Sequence, residues 1–191
     1  MRSLNRIGRV PASVPLAADD VVEFHAARLL LLLHLCGTSG RIDGLTKLAK
    51  LDFFARYPDF FAVAKAADAP LSSVQQSTTQ ALTHDAVESA MVRHHYGPWD
   101  KRYYHILAHL ESKGLISVSK EKRAFRILLT PQGTERAKTL TNRPSFETLV
   151  ARMRDLKKAF GSKTGTWLKN RVYQLFDKEV GRRQLGEVIH K

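Results

Sequence analysis

The stretch that most constrains this fold is VVEFHAARLLLLLHL, Val21 to Leu35, which is apolar almost all the way round a helical wheel. A helix lying on a protein surface shows a polar face, so one without such a face reads as the central buried helix against which everything else packs. Its longest apolar run, Leu29 to Leu33, sits among Glu23, His25, Arg28 and His34 and is too short and too charged to span a membrane. Asp19 and Asp20 stand ready to cap its first turn, because their carboxylates can accept the unpaired N–H groups there. In the following GTSGRIDG, Gly37 is placed to end the helix in a left-handed conformation and Asp43 to cap the next one. With 191 residues, 43% of them hydrophobic, the chain can bury a proper core in one large domain or two small ones.

The pattern continues as mainly helix. A second helix is expected over about Gly44 to Arg56, with Leu45, Leu48, Ala49 and Phe53 on its inner face and Lys47, Lys50 and Arg56 elsewhere. Pro58 redirects the chain, and a short third helix covers Asp59 to Ala67. The polar DAPLSSVQQSTTQALT, from Asp68 to Thr83, reads as a loop or insertion. Tyr103, Ile106, Leu107 and Leu110 then form an i, i+3, i+4, i+7 stripe that Gly114 terminates. LISVS and AFRILLT alternate as a β-hairpin with KEKR at its tip, placing Phe125, Ile127 and Leu129 on one face. Thr130 and Pro131 open another helix as cap and first residue. Two amphipathic helices close the chain: one striped by Phe146, Leu149, Val150, Met153, Leu156 and Phe160, the other by Trp167, Leu168, Val172, Leu175 and Phe176. The organisation expected is an extended arm over residues 1–18, a helical and winged-helix-like domain over 19–143 and a basic helical extension over 144–191.

Charge sets the class of partner. Lys and Arg exceed Asp and Glu by 13, and from Arg152 to Lys191 there are 11 basic residues against 4 acidic ones. Such a surface favours polyanions, with simple solubilisation as the plainer alternative. A single cysteine, Cys36, allows no internal disulfide, and the N-terminus has no apolar core of signal-peptide length, so a cytoplasmic protein is expected.

The catalytic inventory is poor. H-E-x-x-H, C-x-x-C and G-x-S-x-G are all missing from the sequence. GSKTGT, residues 161–166, lacks the leading glycine of a phosphate loop, since Leu156 stands there, and reads as a turn between helices. His105 and His109 share a helix face, with His94 and His95 just upstream. Ile106 occupies the place of a metalloprotease general base, and no Cys or carboxylate completes a ligand set by spacing. The sequence therefore points to no enzyme, no metal and no cofactor.

Helix, charged hairpin, helix is the order of a winged helix-turn-helix domain, and LAHLESKGLI followed by LTPQG resembles the ending of many such domains. On that plan Lys101, Arg102, His105, His109 and Lys113 lie off the apolar stripe of the helix, with Lys120, Lys122, Arg123 and Arg126 on the hairpin. These side chains are the candidate contacts to DNA phosphates, or else a solvated basic face. The terminal stripes, carried by Phe146, Leu149, Met153 and Phe160 and by Trp167, Leu168, Val172 and Phe176, either dock a partner subunit or complete the core.

RIDGLTKLAKLDFFARYP (41–58), YGPW (96–99) and GTWLKNRVYQLF (165–176), in that order within residues 21–180, resemble the middle component of ABC three-component bacterial anti-phage systems, the group overlapping Lamassu. The resemblance implies a non-catalytic adaptor that works beside an SMC-like ABC ATPase and a nuclease-like effector in sensing double-stranded DNA without strict sequence preference. A free-standing winged-helix transcription regulator is the alternative from another class.

Overall fold

A computed structural model describes residues 21–68, 91–121 and 124–189. It is mainly helical with a small antiparallel sheet. The central helix α1 (Val22–Cys36) is where the apolar run puts it, with Leu29, Leu31, Leu32 and Leu33 wholly buried. Each such leucine contributes about 1.5–3 kcal/mol by leaving water, so this one helix supplies much of the driving force for the core. Around it pack α2 (Leu45–Arg56), α4 (Tyr103–Ser112), α5 (Pro131–Thr141) and α6 (Glu147–Phe160), while α3 (Pro58–Ala66) and α7 (Gly165–Leu175) lean on α2. The helix end at Asp19 and Asp20 lies outside the described residues.

Gly37 is not left-handed. Its φ is −67°, and the chain reverses instead through Ser39 (φ 51°) and Gly40 (φ 72°). A side chain at Gly37 would collide with the Leu33 carbonyl and come within 2.9 Å of the Arg41 nitrogen, so close backbone approach, not handedness, requires glycine there. Lys157 of α6 bonds the carbonyls of Cys36 (3.1 Å) and Gly37 (2.6 Å), satisfying the end of α1 from another helix.

Asp43 does not cap α2 either. It belongs to a strand, β1 (Arg41–Asp43), and its carboxylate faces Arg41 (3.3 Å) and Arg126 (3.5 Å). Gly44, at φ 91°, takes the cap position and donates its N–H to the Phe125 carbonyl at 2.7 Å. The expected hairpin forms as β4 (Ile116–Glu121) and β5 (Ala124–Leu129), paired from Ile116 with Leu129 to Glu121 with Ala124. β1 adds to its far side, giving the order β1-β5-β4, with Ile42, Ile116, Ile127 and Leu129 turned into the core. Thr130 caps α5 through Gly133 N–H at 3.0 Å, with Pro131 as first residue. Gly114, at φ 67°, ends the α4 segment as its position suggests.

Two features differ from the helical pattern. Residues 92–99 form a small hairpin, β2 (Val92–His94) with β3 (Gly97–Trp99), and the C-terminal tail closes on it where Val188 bridges Val92 and Ile189 N–H reaches Met91 O at 2.8 Å. And α2 is buried nearly all round: Lys50, Asp52 and Arg56 are as enclosed as its leucines, which corrects the placement of Lys50 and Arg56 off the inner face. Among the described residues no helix is long and apolar enough to cross a membrane.

Candidate nucleic-acid interface

The charged side chains buried in α2 determine how α4 is held. Asp52 receives Arg28 of α1 at 2.9 Å and the Tyr103 hydroxyl of α4 at 2.7 Å. Asp100, just before α4, takes Arg56 of α2 at 3.0 Å and a two-pronged contact from Arg102, Nε to Oδ1 at 2.9 Å and a terminal nitrogen to Oδ2 at 2.8 Å. His25 of α1 joins the two halves, with one ring nitrogen 2.9 Å from Arg28 and the other 2.8 Å from Arg102. Arg28 and Asp52 are fully enclosed. Burial by itself would raise the Asp100 carboxyl, but hydrogen bonds from the Arg102 side chain and backbone, with the charge of Arg56, hold it well below the usual carboxylate range. Burial first, and then the neighbouring Asp52 charge, push the Tyr103 phenol well above its ordinary value of 10.0, so it remains a neutral donor. Three guanidiniums and two carboxylates thus lock α1, α2 and the start of α4 together. A network of this kind costs desolvation and returns a fixed geometry.

The β2–β3 hairpin is fastened to the same helix. Lys50 sends its buried ammonium stem under Gly97 and donates to the Pro98 carbonyl at 2.8 Å. Burial, with Lys169 nearby, lowers its pKa to about 7. Trp99 follows Pro98 directly, wedged edge-on against Tyr103 at 5.0 Å between ring centres. The turn-and-helix segment is therefore rigid because four buried charged residues of α1 and α2 hold its backbone and its first helical residues.

No family model matches the chain, and neither does any curated protein or solved structure.

On this frame the sequence-derived cations fall into distinct groups. Lys101 and His105 are exposed at the start of α4, with Lys113 at its end, and His109 is half-buried. Lys120 is exposed on β4. Arg102 is not a free outward cation, because Asp100 and His25 engage its guanidinium, and this corrects its assignment as a phosphate contact. Arg126 is partly exposed but paired with Glu121 and Asp43. Lys122 and Arg123 lie outside the described residues, as does the loop read over Asp68 to Thr83 beyond Asp68. Among the described residues, no three His, Cys, Asp or Glu side chains converge as ligands would. His94 and His95 contact each other edge to face, with ring centres 5.2 Å apart.

The proposed docking stripes do not face outward. Met153, Phe160, Leu168, Val172 and Phe176 are buried inside the chain, with Phe160 packed on Phe54 and Phe61, and Phe176 on Phe60. The apolar area of α6 and α7 is consumed by α1, α2 and α3, which corrects these residues as a partner surface. Phe146, Leu149 and Trp167 are half-buried at the edge of the same core, Phe146 stacked on Phe24 and Trp167 beneath Lys163.

Sequence reasoning missed Lys50, Asp52 and Tyr104. Asp52 and Arg56 stand four apart on α2, and Arg28 interrupts an otherwise apolar helix; an arginine in such a setting needs a buried carboxylate, which was the available signal. Tyr104 is 61% exposed beside the buried stripe and carries no signal by spacing.

Proposed function

We propose that this chain is a non-catalytic adaptor subunit of a cytoplasmic bacterial anti-phage complex of the ABC three-component, Lamassu-like type. It would bridge an SMC-like ABC ATPase and a nuclease-like effector, and touch double-stranded DNA through a winged-helix core. The observation that supports the DNA part best is the joining of β1, which directly follows α1, to the hairpin that directly follows α4. Helix, strand, helix, helix, hairpin is the order of a winged helix-turn-helix, with α3 and the β2–β3 hairpin as insertions before the third helix. In that reading α4 is the groove-facing helix, presenting Lys101, His105 and Lys113, and Lys120 belongs to the wing. The net charge of +13 favours the same partner. The adaptor part is supported by the sequence resemblance.

Co-expression tests both parts. The full chain, tagged, is produced together with an SMC-like ABC ATPase and a nuclease-like effector sought among its neighbouring genes, and the expected result is one co-purifying complex. The chain alone should bind random duplexes weakly, with affinity that falls steeply as salt rises. A chain that ignores both proteins yet protects one palindromic site in footprinting would instead be a free-standing transcription regulator.

A further inference from the structure

Two exposed tyrosines stand on either side of β3 in the chain. Tyr104 is 61% exposed on α4 and Tyr96 54% exposed at the tip of the β2–β3 hairpin. A ladder of rings runs from Tyr104 to exposed His95, the neighbour of Tyr96 in the chain: Tyr104 lies 6.0 Å from buried Trp99, Trp99 stacks on His94 at 5.2 Å, and His94 meets His95 at 5.2 Å. A lone exposed tyrosine needs no explanation, but a connected ladder ending in exposed rings presents a π-surface to solvent.

Three observations set what this surface fits. It is stiff, because Trp99 rests on Tyr103, whose hydroxyl is bonded to buried Asp52, and the preceding Pro98 carbonyl is held by Lys50. Its flanks are cationic: Lys101 is exposed two residues beyond Trp99, and the Lys169 ammonium lies 6.0 Å from the Tyr96 ring centre. The neighbouring acids are occupied, Asp100 by Arg56 and Arg102, and Glu187 of the tail by Arg183. Burial first, then the charges of His95 and Lys50, lower the pKa of His94, which favours a neutral ring against Trp99. Preorganised rings with cations beside them suit a ligand that alternates flat faces with negative charge. In a duplex those flat faces are covered by neighbouring base pairs, so only unpaired bases can use the rings.

We infer that the exposed rings of Tyr96 and Tyr104, with buried Trp99 bracing Tyr104 from beneath, bind single-stranded DNA by stacking its unpaired bases, with Lys101 and Lys169 on the flanking phosphates. This rests on the DNA-contact reading above and adds to it a preference for unpaired strands. Stacked bases contribute through each ring, so removing one exposed tyrosine should weaken binding about tenfold or more, whatever the sequence.

The test compares three labelled probes on the full chain by fluorescence anisotropy: an oligo(dT) strand, an abasic strand of equal length and a duplex closed at both ends by base-free polyether linkers. The expected order places oligo(dT) about a hundredfold tighter than the abasic strand, about tenfold for each of the two rings. Tyr104→Ala and Tyr96→Ala should each cut that difference about tenfold and together erase it, Tyr104→Phe should keep it, and Lys101→Ala should weaken both strands alike. Both tyrosines are exposed, so unchanged thermal melting confirms that the variants fold. Equal binding of oligo(dT) and abasic strands, or a preference that survives both alanine variants, overturns the inference. If the closed duplex is bound while that preference is missing, only this inference fails; if no probe is bound even at low salt, the DNA reading itself fails. Loss of the ATPase or effector from Tyr104→Ala with oligo(dT) binding intact would make the surface a protein interface and likewise overturn it.

Discussion

Lys50→Met should change the sign of its effect on stability across the pH range. In the folded chain the amine is fully enclosed and its pKa falls from 10.5 to about 7, chiefly because burial penalises its charge. A lysine whose folded pKa lies below its unfolded value destabilises the fold most at and below the folded pKa, and that cost fades as pH rises toward 10.5. At 1.36 kcal/mol per pKa unit the full cost is about 5 kcal/mol. Methionine keeps most of the unbranched stem and removes the charge, but it deprives the Pro98 carbonyl of its 2.8 Å donor. An unsatisfied buried carbonyl costs about 1–3 kcal/mol. At pH 6 the variant should therefore be more stable than the parent by roughly 2–4 kcal/mol, the charge cost less the lost bond. At pH 10 the folded amine is neutral but most unfolded chains still carry the proton, so about 1 kcal/mol of the charge cost remains and the variant should be less stable by about 0–2 kcal/mol. Urea unfolding of both proteins at pH 6, 8 and 10 measures the difference directly, and background titrations common to both cancel. A stability difference that stays flat from pH 6 to pH 10 would refute the reasoning, because it would mean that Lys50 is not held as a buried, destabilised cation.

The charged lock gives a second test: Arg28→Ala leaves Asp52 enclosed without its 2.9 Å partner and should cost about 3–5 kcal/mol in chemical denaturation, with Arg28→Lys recovering only part. Gly133→Ala should lower the melting temperature by well over the few degrees of a surface change, since the new methyl group would collide with the Leu115 carbonyl where α5 meets β4. Reversing Lys120, Lys122 and Arg123 to glutamate should weaken duplex binding and flatten its salt dependence while leaving the melting temperature nearly unchanged; unaltered duplex affinity would remove the wing from the DNA contact.

Where the chain's information is local, the sequence conveys the structure well. The Tyr103–Leu110 stripe, the alternation of Phe125, Ile127 and Leu129, and the Thr130-Pro131 start each depend on neighbours within a turn or a strand, and each is found in place. What was illegible depends on partners far along the chain. Lys50, Asp52 and Arg56 look like the outer residues of an amphipathic helix because residue type alone suggests exposure. They are interior because Pro98, Arg28 and Asp100, at separations of 48, 24 and 44 residues, satisfy them. The same reason hides the fate of α6 and α7: periodicity shows an apolar face without showing that α1, α2 and α3 already cover it. The β2–β3 hairpin escapes notice because its strands have three residues each, too few for alternation to register.

The two ends of the stretch between Asp68 and Met91 are both moored to the body of the protein. Asp68 lies 3.5 Å from Lys163 and 3.5 Å from Arg171, while Met91 N–H meets the Tyr57 hydroxyl at 2.9 Å and its carbonyl takes Ile189 N–H at 2.8 Å. The body of the protein thus fixes both where the chain departs at Asp68 and where it returns at Met91, each by contacts of its own, so the position of either point owes nothing to the other.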